Sequence, residues 1–136
     1  MTPPESLLDT DILSAIMRKN EVVLQRAQAY IDARRQFTIS IITRYELLRG
    51  LNAKKAGSQI RAFDFFCASS NVLGLTDEVV ERAAEIYGDL HRRGELISDA
   101  DILIAATALV HDYTLVTNNE DHFRRIPGLK VDNWLK

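Results

Sequence analysis

Five short runs of aliphatic, β-branched or aromatic residues recur along this chain, and a helical pattern separates each from the next. They are Ser6-Leu7-Leu8, Phe37-Thr38-Ile39, Asn71-Val72-Leu73, Tyr113-Thr114-Leu115-Val116 and Lys130-Val131. Strand-like segments alternating with helices predict an α/β fold, a central parallel sheet flanked by helices on both faces. Sheets of that kind place their working residues beyond the carboxyl ends of the strands. The ends of these runs are therefore where chemistry is to be sought.

The intervening segments carry helix signals of their own. Asn20-Glu21 reads as a cap, with Val23, Ala27, Tyr30 and Ile31 at helical spacing up to Arg34-Arg35. A second helical pattern runs from about Ile41 to Lys55 and is broken by Gly57-Ser58, with a further helix over Ile60 to Ala68. Thr76-Asp77-Glu78 combines a hydroxyl cap with two acids in the first turn. Behind it Val79, Ala83, Tyr87 and Leu90 line one face, and Gly94 closes that helix. The next helix spans about 99–111, and a short one is expected over Asp121–Arg125.

With 136 residues and 46% hydrophobic content, the chain is expected to form one domain over 1–136 with its own core. A single cysteine, Cys67, rules out an internal disulfide and suggests a reducing compartment. No leader-like pattern opens the chain and no apolar run approaches ~18 residues, so a cytoplasmic protein away from membranes is expected. The net charge of −2 is unevenly spread. Residues 1–68 hold 10 Lys/Arg against 7 Asp/Glu, and residues 69–136 hold 7 against 12. A nucleic-acid partner would need a local basic face, which Arg34-Arg35, Arg44, Arg49, Lys54-Lys55 and Arg61 could supply.

The strand ends are rich in acids and amides. Asp9 and Asp11 follow the first run, and Asn119 and Asp121 follow the fourth. Glu46 sits among apolar residues in the helix after the second run, where an acid is costly to bury unless paired or bound to a cation. Asp101 opens the apolar stretch SDADILIAATALV. Ser98 with Asp101 approximates a capping box, so the acids there have a structural reading as well as a chemical one. Glu46 likewise has Arg49 one turn away as an ordinary partner. Gathered in one place, carboxylates repel and raise one another's pKa unless a divalent cation offsets them. Magnesium takes oxygen ligands of this kind and suits phosphate chemistry.

LLDTDIL (7–13), TRYELLRG (43–50), SDADILIAATA (98–108) and LVTNNEDHF (115–123) together resemble the PIN-domain ribonucleases, specifically the VapC toxins of toxin–antitoxin pairs. The resemblance covers nearly the whole chain and keeps the family's motif order. It implies a single PIN domain with Asp9, Glu46 and Asp101 as catalytic and metal-binding acids. Asp11 stands where many members have Asn, and is implied as a supporting residue or an extra ligand. The family's fourth acidic position falls on Asn119, a weaker ligand, with Asp121 near enough in sequence to substitute. Thr117 matches the family's site hydroxyl, which positions an acid or the substrate phosphate. The implied cofactor is Mg2+, or Mn2+, activating a water for in-line cleavage of RNA, tRNA included, to 5′-phosphate and 3′-hydroxyl ends. A cognate antitoxin protein and a homodimer are the implied partners. The rival is a catalytically silent PIN scaffold that binds RNA or protein. A phospho-accepting receiver domain fits poorly, since no Asp follows the third run and no Lys the late one. His91, His111 and His122 show no metal spacing and read as surface or core residues, and Cys67 as packing.

Overall fold

The computed structural model describes residues 2–136. The strands are β1 (Ser6–Leu8), β2 (Thr38–Ser40), β3 (Asn71–Leu73), β4 (Thr114–Val116) and β5 (Val131–Asp132). The helices are α1 (Thr10–Met17), α2 (Glu21–Arg34), α3 (Ile41–Ala53), α4 (Gly57–Ala68), α5 (Asp77–Arg92), α6 (Asp99–His111) and α7 (Glu120–Phe123). The strands form one sheet in the order β3-β2-β1-β4-β5, with every pairing parallel.

Alternate strand residues feed two separate cores. Leu7 pairs with Leu115, and both enter the core beneath α5 and α6 with Ile104 and Phe123. Their neighbours Leu8, Ile39 and Val116 point the other way, into a core with Ile12, Val23, Phe63 and Trp134 from the α1, α2 and α4 side. The two-residue period of a strand buried on both faces produces this division. It also explains why the α6 sequence is apolar nearly all round: Ile102, Ile104, Ala105, Ala106 and Ala108 are all buried.

The helix starts follow the expected caps. Asn20 accepts the Val22 and Val23 N–H groups, and Thr76 accepts that of Val79. Two local expectations differ from the structure. Gly57 is the first residue of α4 rather than a break, and Ala56 before it supplies no side-chain cap. Phe63, fully buried against the core, anchors that helix instead. On α5 the buried stripe is Val79, Ala83, Ile86 and Leu90, while Tyr87 is half exposed and stacks beside His91. Both spacings are helical, and packing against α6 selects Ile86.

The chain leaves central β1 toward β2 on one side and reaches β4 on the other. This reversal opens a crevice at the carboxyl ends of β1 and β4. The ladder runs one residue past the strands, since Asp9 N–H donates to the Val116 carbonyl at 2.9 Å.

Candidate active site

Asp9 is the first residue beyond β1 and caps α1, with extended backbone angles (φ −70°, ψ 162°). Its Oδ1 accepts the Thr10 N–H at 2.8 Å, and its Oδ2 accepts the Thr117 hydroxyl at 2.8 Å from the end of β4. Only 6% of Asp9 is exposed. Burial, and then the charge of Asp11, push its carboxyl up to about 7, against the lowering effect of those two hydrogen bonds. Thr117 is fully buried and its hydroxyl also accepts the Asn119 N–H at 3.0 Å. Thr117 thus ties the end of β4 to the Asp9 carboxylate at the end of β1.

In the first turn of α1, Asp11 Oδ2 accepts the Asn118 N–H at 3.0 Å. Its other oxygen is buried with no partner. Burial raises the Asp11 pKa as well, with a smaller push from Asp101. From α3, Glu46 reaches the same place. Its Oε1 accepts the Thr10 hydroxyl at 2.7 Å, and Arg49 stands 3.7 Å from Oε2. Glu46 therefore pairs with Arg49 within its helix and also lines the crevice.

At α6 the two readings of the acids separate. Ser98 is the cap: its hydroxyl accepts the Asp101 N–H at 3.2 Å. The Asp101 carboxylate is free for other use, and its Oδ2 lies 3.2 Å from His122 Nδ1. The Asn119 side-chain amide is 2.7 Å from the same ring nitrogen. A carboxylate only accepts and an amide nitrogen only donates, so Nδ1 serves one of these two neighbours at a time, according to the tautomer of the ring.

A pocket of about 410 Å³ joins these groups and is lined by Asp9, Asp11, Glu46, Asp101 and Asn119, together with Arg18. Asp121 is not among them. Its side chain is 90% exposed and faces Arg124 at 3.6 Å, so it does not substitute for Asn119 in this arrangement. Two contributors escape a reading of the sequence. His122 looked isolated, although its position three residues after Asn119 in a short helix was a signal that the two share a face. Thr10, between the two acids of LLDTDIL, ties α1 to Glu46 across 36 residues of sequence.

Among the described residues, no three acidic or imidazole side chains converge on one point. Glu46 is turned toward Thr10 and Arg49, and Asp101 toward His122. The site is nevertheless short of positive charge. A buried carboxylate oxygen of Asp11 lacks any donor, and Asp9 is held near neutrality by burial and by its neighbour. An all-oxygen donor set with that deficit fits a hard divalent cation.

Known proteins share this fold. Residues 6–129 match the PIN domain family. The chain is 33% identical over 127 residues to Ribonuclease VapC1 of Methanocaldococcus jannaschii, covering 92% of this chain and 85% of that protein. It is 28% identical over 130 residues to the tRNA(fMet)-specific endonuclease VapC of Salmonella typhimurium, covering 94% and 96%. Among solved structures it is similar to VapBC2 from Rickettsia felis bound to a DNA fragment from its promoter, with a TM-score of 0.84 and 28% identity. That likeness covers 95% of this chain and 98% of the other.

Proposed function

Since the chain belongs to the PIN-domain family, we propose that it is an endoribonuclease of the VapC kind, the toxin of a toxin–antitoxin pair. The observation that carries the reading is the crevice between β1 and β4, where acids from α1, α3 and α6 line one pocket around a buried Asp9. Its substrate is RNA, tRNA included, in keeping with the activity named for the Salmonella relative. Its partner is a cognate antitoxin, as in the VapBC complexes it resembles, and it works as a homodimer. No helix among the described residues is long and apolar enough to cross a membrane, and we assign its work to the cytoplasm.

Asp9, Glu46 and Asp101 are the residues we assign to Mg2+, with Mn2+ as a substitute. Asp11 and Asn119 stand beside them. Such a cation lowers the pKa of water toward neutrality and offsets the charge of the phosphate. The protein's own contribution is to hold the oxygens in place. Thr117 and the Thr10 N–H fix both oxygens of Asp9, the Thr10 hydroxyl fixes Glu46, and the His122 ring stands against Asp101. Partners of this kind orient metal ligands and commonly matter ten- to a hundredfold for affinity or activity.

The test is incubation of the purified protein with total RNA, with magnesium or EDTA, followed by mapping of the product ends. Cleavage that EDTA abolishes, and that Asp9→Asn and Glu46→Gln lack, is the expected result. The engagement of Glu46 by Thr10 and of Asp101 by His122, rather than by each other, is what favours a scaffold that binds without cutting. Equal cleavage by wild type and both variants would mean a contaminating nuclease and leave the scaffold reading standing.

A further inference from the structure

The pocket that gathers the acids also repels the polymer it is proposed to cut. Four carboxylates line it, while an RNA strand brings a negative charge with every nucleotide. A strand can settle there only if a nearby cation engages its phosphates.

Among the described residues lining that pocket, Arg18 is the one cation. Asp11, Ser14 and Arg18 lie at i, i+3 and i+7 along α1 and its C-terminal cap, and so share one face. The guanidinium folds back along that face, with Nη1 donating to Ser14 Oγ at 2.8 Å. About 10 Å of helix axis separates residues 11 and 18 at ~1.5 Å per residue. The fold-back directs the charge toward the acid-bearing end of the helix, and Arg18 lines the same pocket as the acids.

The charge is not already spent. Among the described residues Arg18 makes no ion pair, whereas Arg26, Arg49 and Arg124 each face a carboxylate. Its one side-chain partner is a neutral hydroxyl, which leaves the fork of remaining N–H donors for an anion. Planar guanidinium groups match phosphate oxygens two at a time.

We propose that Arg18, steadied by Ser14, anchors a phosphate of the RNA strand beside the one that reacts. The inference rests on the ribonuclease reading above. An anchor of this kind adds affinity and register without reading bases. It holds substrate and transition state alike, so its loss is expected to appear in KM more than in kcat.

The test uses a fluorescein-labelled, unstructured RNA oligonucleotide and fluorescence anisotropy in EDTA across a sodium chloride series. Arg18→Gln is expected to weaken binding several-fold and to reduce the slope of log affinity against log salt by about 0.7, one single-strand phosphate contact. Arg18→Lys keeps the charge and is expected to keep most of the slope. With magnesium, Arg18→Gln should raise KM while kcat stays within about twofold, and urea unfolding checks that each variant is folded. A wild-type slope and KM in Arg18→Gln would overturn the anchor while leaving the ribonuclease reading intact. A changed slope without cleavage by wild type in any buffer would uphold the phosphate contact and remove the ribonuclease reading. A wild type that neither binds nor cleaves would overturn both.

Discussion

Ser98 Oγ accepts the Asp101 N–H, and Asp101 turns its own carboxylate to His122. That division makes Asp101→Asn informative, because the hydrogen bond that caps α6 belongs to the backbone of residue 101 and survives the change. The lost charge at the helix start should cost roughly 0.3–1 kcal/mol. Relief of repulsion toward Asp9 and Asp11, both of which Asp101 pushes upward, acts in the opposite direction. Metal-free stability is therefore expected to hold or rise, while cleavage is lost. Wild type should gain roughly 2.7 kcal/mol with magnesium at ~100 times its dissociation constant, and the variant much less. Urea unfolding of both proteins, with magnesium and with EDTA, measures this. A full magnesium increment in Asp101→Asn would remove Asp101 from the metal site.

The elements were legible where a local rule and the tertiary structure agree. Thr76 and Asn20 cap the helices that their sequences announce, and all five strands fall within a residue or so of their β-branched or aliphatic runs. The exceptions are places where packing overrides a local signal. Gly57 is a poor helix former, yet α4 holds it because Phe63 and the facing α3 fix the following turns. Ser98 allows the element scale to be separated from the chemistry. Ser98→Ala removes the side-chain acceptor at the start of α6 and should cost about 1 kcal/mol, a drop of roughly 4 °C in Tm for a domain of this size. Cleavage per folded molecule should stay within about twofold. Calorimetry and an RNase assay at a temperature well below the transition test this. A tenfold loss of cleavage without loss of Tm would give Ser98 a role beyond capping.

Across the whole molecule, the identity of the main acids was readable because each stands at a strand end or on an apolar face. Their supports were not, since His122 meets Asp101 across 21 residues of sequence and Arg18 enters the pocket only through the direction of α1. The charge deficit that results has a consequence for the stability of the entire fold. The Asp9 carboxyl is raised from 3.8 to about 7, so between those values the folded chain holds a proton that the unfolded chain has lost. Stability of the metal-free protein therefore falls as pH rises through that window. The penalty is absent below the unfolded pKa and complete above about pH 7. At ~1.4 kcal/mol per unit, the loss is on the order of 4 kcal/mol. Asp11, also raised, acts in the same direction. Asp89 and Glu120 are lowered by Arg93 and by Asn133 with Lys136, and their opposite contributions are largely complete above their ordinary values of 3.8 and 4.5. The difference between wild type and Asp9→Asn over a series from pH 5 to 8 in EDTA thus reports the buried Asp9. Urea unfolding is expected to give a midpoint that drops across the series for wild type and drops far less for Asp9→Asn, which should be the more stable of the two at pH 8. Magnesium, by engaging the ionised carboxylates, should restore wild type most strongly at the alkaline end. A metal-free wild type that grows more stable from pH 5 to 8, or an Asp9→Asn variant with the same slope, would show that Asp9 does not carry this uncompensated charge.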